Sequence, residues 1–241
     1  MPAATRQTPN LLIRSLSDAD FGLLETALER VPLHKEDVIS PLGSRVDSVC
    51  FPESGIASYA SIGLGGERTG IGIIGFEGLV GAHVLLGCDV SPHEVTATYG
   101  GGVALRCSTD HLLSACGQSE TLRSVLNLFV QSFIIQLTHT AVSNLNDSVE
   151  RRLSRWLLMN HDRLAGDEIE LTHAEIGVML GVRRASVTDA LHLLEGEGLI
   201  RSSRRLITIC NRSGLRRAAG ENYGKAEAEY VRLIAPFGKD G

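Results

Sequence analysis

Five arginines, Arg183, Arg184, Arg201, Arg204 and Arg205, are gathered between positions 183 and 205. Guanidinium groups in such a cluster suit nucleic acid. Neutralising phosphates supplies the sequence-independent part of duplex affinity, and an arginine can also grip guanine O6 and N7 with two hydrogen bonds, worth ~1–3 kcal/mol of discrimination. Small side chains stand around them: Thr172, Ala185, Ser186, Thr188 and Asp189. Ala185 offers a methyl to thymine, and Asp189 offers either an acceptor for a cytosine amine or a charge that repels phosphate. The predicted DNA-contacting set is these five arginines together with those five residues.

Two other constellations invite chemistry. The run GIGIIG at 70–75 fits G-x-G-x-x-G, with Glu94 near the place of a ribose-binding acid. A dinucleotide site needs an apolar strand before the glycines and a helix after them. Gly65-Gly66-Glu67-Arg68-Thr69 precede the run and Phe76-Glu77-Gly78 follow it, so strand alternation is the better account and a nucleotide-dependent enzyme the weakest reading. His83, Cys88 and His93 are spaced by five across a predicted hairpin and are the candidate effector residues, as metal, haem or thiol ligands. Isolated His and Cys in a β domain are more often structural, and no metal or cofactor is predicted. No Ser/His/Asp or paired-carboxylate arrangement stands out, so no catalytic residue is assigned and no enzyme is expected.

The elements that must position the arginines are legible. Thr172 and Glu175 form a T-x-x-E capping box; Ile176, Met179 and Leu180 give the helix an apolar side, and Gly181 ends it. A second helix over about 183–195 turns Val187, Ala190, Leu191 and Leu194 inward, leaving Arg184, Ala185, Thr188 and Asp189 outside. Residues 198–209 read as a β-hairpin with a polar tip. Together these describe a helix-turn-helix with a wing.

Upstream, residues 119–145 contain no glycine, and as a helix would span roughly 40 Å. Leu122, Leu126, Phe129, Phe133, Leu137 and Ala141 recur at three and four, with Val130, Ile134 and Val142 near a second face. The first set is the predicted dimer interface, on a helix that packs both on its own domain and on a second copy. Asn146-Asp147-Ser148 cap a further helix carrying Val149, Leu153, Trp156 and Leu157. Residues 17–28 predict a first helix with Ser17 as N-cap. Residues 31–112 hold short β-prone runs broken by turn signals, which predicts an antiparallel sandwich, roll or barrel. An amphipathic tail over 213–233 is expected on the winged unit or at the dimer. The predicted division is 1–118 for N-terminal helix and sensor, 119–145 for the dimerisation helix, and 146–241 for the DNA-binding unit with its tail.

The 241 residues are 43% hydrophobic and 21% charged, which excludes disorder, collagen and a disulfide scaffold. The net charge of −5 argues against nucleic acid until the chain is divided. Residues 1–149 hold 8 Lys and Arg against 15 Asp and Glu, whereas 150–241 hold 15 against 13. No apolar run approaches the ~20 residues of a membrane helix, no signal-peptide pattern opens the chain, and the five cysteines are scattered. A cytoplasmic protein with no membrane partner is expected.

From about residue 16 to 209 the chain resembles the Crp/Fnr family of bacterial transcription regulators. The most specific stretch is THAEIGVMLGVRRASVTDALHLLEGEGLI, 172–200; the FPESG turn at 51–55 is less specific. The resemblance implies an α+β fold: an N-terminal antiparallel β-roll of the cyclic-nucleotide-binding type, a long dimerisation helix and a C-terminal winged helix-turn-helix. It implies double-stranded DNA bound at an inverted repeat by a homodimer, RNA polymerase as a further partner, and a small-molecule effector on the roll. By the same resemblance Arg184 takes the guanine-reading position, and Arg183 and Ser186 take phosphate-touching ones. Ala185 replaces a base-reading glutamate and Asp189 a second arginine, so a different operator is expected. In the stretch matching the family's phosphate cassette, 78–97, Ala82 replaces the ribose-binding glutamate, and Ser91-Pro92-His93-Glu94 supplies no arginine. Cyclic AMP binding is therefore not expected. The first cysteine is Cys50, so an iron–sulfur cluster is not expected either. The rival to a DNA regulator is a partner-binding module that has lost DNA binding, for which Asp189 is the hint.

Overall fold

The computed structural model describes residues 7–99 and 101–239. Two short helices open it, α1 (Leu11–Arg14) and α2 (Asp18–Glu25), capped by the side chains of Asn10 and Ser17. Seven strands follow: β1 (Glu29–Leu33), β2 (Val38–Ser40), β3 (Ser48–Ser54), β4 (Ala57–Ile62), β5 (Arg68–Ile74), β6 (Glu94–Ala97) and β7 (Gly102–Ser108). They form two antiparallel sheets, ordered β1-β7-β3 and β2-β6-β4-β5. Alternation sends Val95 and Ala97 of β6 inward and leaves Glu94 and Thr96 on the outer face. The interior of this roll is filled by Val49, Phe51, Tyr59, Leu79, Val80, Ala82, Val84 and Leu105, all buried.

Helix α3 (Thr109–Gln118) leads into α4 (Glu120–Asn146), 27 residues long, with Ser119 as the N-cap of α4. The Asp20 carboxylate accepts the hydroxyls of Ser119 and Thr121, tying α4 to α2. By length and apolarity alone α4 could cross a bilayer, but its apolar stripe belongs to the roll. Leu122, Leu126 and Phe129 are at most 2% exposed within the roll's core. Phe133 stacks on Phe129 and packs at a tilt against Tyr59, and Leu137 reaches Gly72 of β5. Of the six residues predicted to meet a second copy, five therefore face their own chain and only Ala141 is exposed. The side turned away carries Leu128, Gln131, Ile135, Thr138, Val142 and Leu145 at alternating spacings of three and four. Leu145 is 83% exposed.

The C-terminal unit comprises α5 (Val149–His161), β8 (Glu168–Ile169), α6 (His173–Leu180), α7 (Arg184–Gly196), β9 (Ile200–Ser203), β10 (Leu206–Ile209), α8 (Arg212–Ala219) and α9 (Lys225–Leu233). Its sheet runs β8-β10-β9, and its core gathers Leu153, Leu157, Ile169, Ile176, Val187, Leu191 and Leu215. The two cores interlock. Ile56, Ile73 and Tyr99 of the roll join the C-terminal core, while Tyr230 and Phe237 of the tail join the roll's. The tail, expected on the winged unit or at the dimer, thus packs on the roll as well.

Candidate nucleic-acid interface

The capping box at α6 is complete: the Glu175 amide donates to Thr172 Oγ1 (3.2 Å) and the Thr172 amide to Glu175 Oε2 (2.6 Å). Gly181 closes the helix at φ +63°, and the Val182 amide donates to Gly177 O (2.9 Å). A Cβ at Gly177 would stand 2.9 Å from Val182 O, so only glycine lets the turn fold this tightly. The turn aims the start of α7 outward while Val187, Ala190, Leu191 and Leu194 seat its inner face.

The wing is a hairpin in which Ser203 pairs with Leu206, so Arg204 and Arg205 form its two-residue tip. Arg205 has φ +64°, a conformation that costs a side-chain-bearing residue ~1–2 kcal/mol. The wing is held to α7 by the Ser202 amide donating to Glu195 Oε1 (2.9 Å).

Thr172, Arg184, Arg204 and Arg205, with His173, Ala174 and Ser203, line one open cleft of about 450 Å³ between the start of α6 and the wing tip. Arg183, Ala185, Asp189 and Arg201 are exposed outside that cleft, and Ser186 is half-buried. Thr188 also has a role inside the domain. Its hydroxyl donates to Arg184 O (3.1 Å), so His173 Nδ1 is the donor across their 2.9 Å contact. Thr188 thereby ties α6 to α7. Burial, then the charges of Arg184 and His192, hold the His173 pKa below the usual imidazole range.

Six arginines elsewhere in the chain show a contrast. Arg30, Arg68, Arg106, Arg163, Arg212 and Arg232 are each held by a carboxylate. Among the described residues, Arg183, Arg184, Arg201, Arg204 and Arg205 have no such partner. Arg184, Arg204 and Arg205 meet at the cleft beside the positive N-terminal end of α7, with Arg183 next to Arg184 in the chain and Arg201 on the wing strand. An external polyanion is the complementary ligand for this charge.

The predicted effector residues lie near one another: the Cys88 amide donates to His83 O (3.4 Å), and His93 is close enough for its charge to act on His83. His83 lies in the 3-10 turn Ala82–Leu86, and Cys88 is exposed with its thiol donating to Val90 O. His83 lies close enough to His93 for each charge to be felt, and burial first, then that neighbour, lowers the His83 pKa. Among the described residues no group of three or more His, Cys, Asp or Glu side chains is placed to hold a metal. Glu94 lies outside the roll, ion-paired with Arg68. Tyr59 packs in the roll interior next to Ala82's neighbour Gly81, whose amide donates to the Tyr59 hydroxyl (3.4 Å).

GIGIIG is strand β5 rather than a phosphate loop, and its glycines are points of close approach. A Cβ would lie 2.6 Å from Met179 O of α6 at Gly70, 2.9 Å from the Leu137 side chain of α4 at Gly72, and 3.0 Å from the Arg163 side chain at Gly75. One strand is therefore touched in turn by the helix-turn-helix, the long helix and the end of α5. Around it, Gln136 bonds both backbone groups of Ile73, Lys35 pairs with Glu175 (2.6 Å), and Tyr99 donates to Asn160. Arg163 and Glu77 form a buried ion pair at 2.7 Å, with side chains 2% and 4% exposed. Sequence reasoning had no signal for Lys35, Glu77 or Arg163, because their partners lie far along the chain.

Residues 151–218 match the Crp-like helix-turn-helix domain. Solved structures share the fold over most of the chain. A Crp/Fnr-family regulator from Eubacterium rectale has a TM-score of 0.67 at 17% identity, covering 86% of this chain and 97% of its own. A CRP-family transcriptional regulator from Thermus thermophilus gives 0.66 at 17%, covering 80% and 97%. FixK2 from Bradyrhizobium japonicum gives 0.66 at 18%, covering 79% and 96%. No curated protein sequence matches.

Proposed function

We propose that this chain, which carries a Crp-like helix-turn-helix domain on the fold of Crp/Fnr regulators, is a transcription regulator that binds an inverted-repeat DNA operator as a homodimer. The observation that carries the reading is the meeting of Arg184, Arg204 and Arg205 at one cleft, with Arg183 and Arg201 exposed on the same helix start and wing and none of the five held by a carboxylate. In it the start of α7 enters the major groove, Arg184 reads guanine, and Arg204 and Arg205 hold the neighbouring backbone from the wing. Arg183 and Ser186 touch phosphate, Ala185 meets a thymine methyl, and Asp189 accepts from a cytosine amine. RNA polymerase is the downstream partner.

The dimer forms along the outward seam of α4, through Leu128, Ile135, Val142 and Leu145, and not through the stripe already buried on the roll. The three-four spacing of that seam suits knobs-into-holes pairing. Two such helices would set the recognition helices ~34 Å apart, one turn of duplex.

Two experiments test this. Selection from random DNA followed by gel shift should recover an inverted repeat bound with steep salt dependence, and Arg184→Ala should weaken it by ~1–3 kcal/mol while relaxing preference at one guanine. Absence of any salt-sensitive duplex binding would favour the partner-binding module. Sedimentation should find a dimer that V142E/L145E converts to a folded monomer; a dimer that survives both charges would mean the seam lies elsewhere.

A further inference from the structure

The chain continues past the matched helix-turn-helix, and its continuation does not stay with the unit it leaves. After α8, glycines at φ +71° (Gly220) and +93° (Gly224) turn it back, and α9 runs along α4. Tyr230, 3% exposed, donates its hydroxyl to Glu77 O at 2.6 Å, across 153 positions of sequence. Phe237, 6% exposed, sits with its ring centroid 5.2 Å from Tyr230, 6.0 Å from Phe76 and 5.0 Å from the Arg163 guanidinium. At its root, Arg212 and the Tyr223 hydroxyl both bond the Asp162 carboxylate, fastening the tail to the end of α5. The segment is thus anchored at one end in the winged unit and at the other in the roll's core, spanning α4.

We infer that residues 220–239 are an intramolecular clamp that takes the part of an effector, holding the winged unit against the roll in an arrangement whose arginine face is open. A ligand can bias such an arrangement only by binding it better than the alternatives, and a covalently attached segment does so at a fixed, high effective concentration. The inside of the roll is packed with its own side chains, and the tail adds a long-range link between the roll and the winged unit to those made at β5. Without it, the winged unit would keep the α4–α5 connection at Asp147 and Ser148, whose backbones are extended, and the contacts made at β5, Lys35 and Tyr99. It would lose the Tyr230 and Phe237 anchors, so part of the cost of orienting it would fall on the engagement of both half-sites. That cost would appear as weaker binding to the paired site and not to one half-site.

The inference rests on the DNA-binding reading for its sign, but has a readout of its own. Two forms are compared with the parent: a chain ending at Ala219, and full-length Tyr230→Phe combined with Phe237→Ala, whose native circular dichroism is checked first, in case the shorter chain aggregates. Hydrogen exchange is followed over 149–163, and gel shifts use the inverted repeat selected by the parent and one isolated half-site. The clamp requires exchange at least about tenfold faster over 149–163, an affinity for the inverted repeat about tenfold weaker, and an unchanged half-site affinity. Unchanged exchange in both forms overturns the clamp. Faster exchange with tighter binding to the inverted repeat overturns its effector-like role and makes the tail a brake. If the parent selects no DNA, the functional reading fails while the exchange result still decides whether the clamp exists.

Discussion

The face around the start of α7 and the junction around β5 both depend on arginine, and they use it in opposite ways. Arg184, Arg204 and Arg205 border an open cleft with no carboxylate partner. Arg163 is buried against Glu77, donates also to Met159 O at 2.7 Å, and lies over Phe237. An exposed cation without a partner costs the fold little, because water solvates it until a phosphate replaces the water. A buried cation without a partner costs several kcal/mol, so the junction cannot exist unless Glu77 and Arg163 meet. The first arrangement is available to a partner; the second fixes where the two halves sit.

The sharpest way to break the contrast is Arg163→Ala. It leaves Glu77 buried and uncompensated and should cost ~3–5 kcal/mol of stability, read as a large drop in thermal midpoint. Replacing both, E77M/R163M, should recover most of that loss, since two apolar side chains remove the desolvation penalty together with the attraction. A midpoint within a degree or two of the parent for Arg163→Ala would show that the junction is not held as described.

The wing supplies a smaller effect of the opposite sign. Arg205→Gly removes a side chain from a left-handed backbone position and should raise stability by ~1 kcal/mol. The same change removes one phosphate contact, so the slope of log affinity against log salt should shallow by about one. Loss of stability, or an unchanged slope, would remove the tip from the interface.

Acidification tests the histidines that bridge elements, with the smallest effect. His161 accepts from Arg212 at Nδ1 and so donates from Nε2 to Asp167 (2.7 Å). Burial lowers its pKa, partly offset by that hydrogen bond, with Lys239 and Arg212 adding to the lowering. His173 is lowered in the same direction. Below about pH 6.5 the unfolded chain takes up protons that the folded state resists. Stability from these groups is therefore complete above that pH and lost as pH falls. The thermal midpoint should decline from pH 7.5 to 5.5, and His161→Gln should decline less steeply; equal slopes would exclude His161 as a contributor.

Much of the interface was written locally. The T-x-x-E cap, Gly181, the inward set on α7 and the hairpin after Gly198 each act within a few residues, so periodicity and turn chemistry identify them. The long helix was located to within a residue at each end, but five of the six residues expected to meet a second copy pack on their own roll. Leu122 to Leu137 form an apolar stripe on one side and Leu128 to Leu145 another. Spacing cannot say which meets the roll and which is left for a second copy.

The sequence by itself determined the winged helix-turn-helix, the β character of the N-terminal half and the placement of five arginines where the net charge of −5 hid them. These follow from the local physics of caps, periodicity and charge. Only the tertiary structure decided what the glycines of GIGIIG are for, which face of α4 is free, and that the tail returns to the roll. Each of those depends on a contact across long stretches of chain, such as Arg163 with Glu77 across 86 positions and Tyr230 with Glu77 across 153. Closing loops of that length is an entropic cost met by packing at the far end, and no pattern within a short window records it.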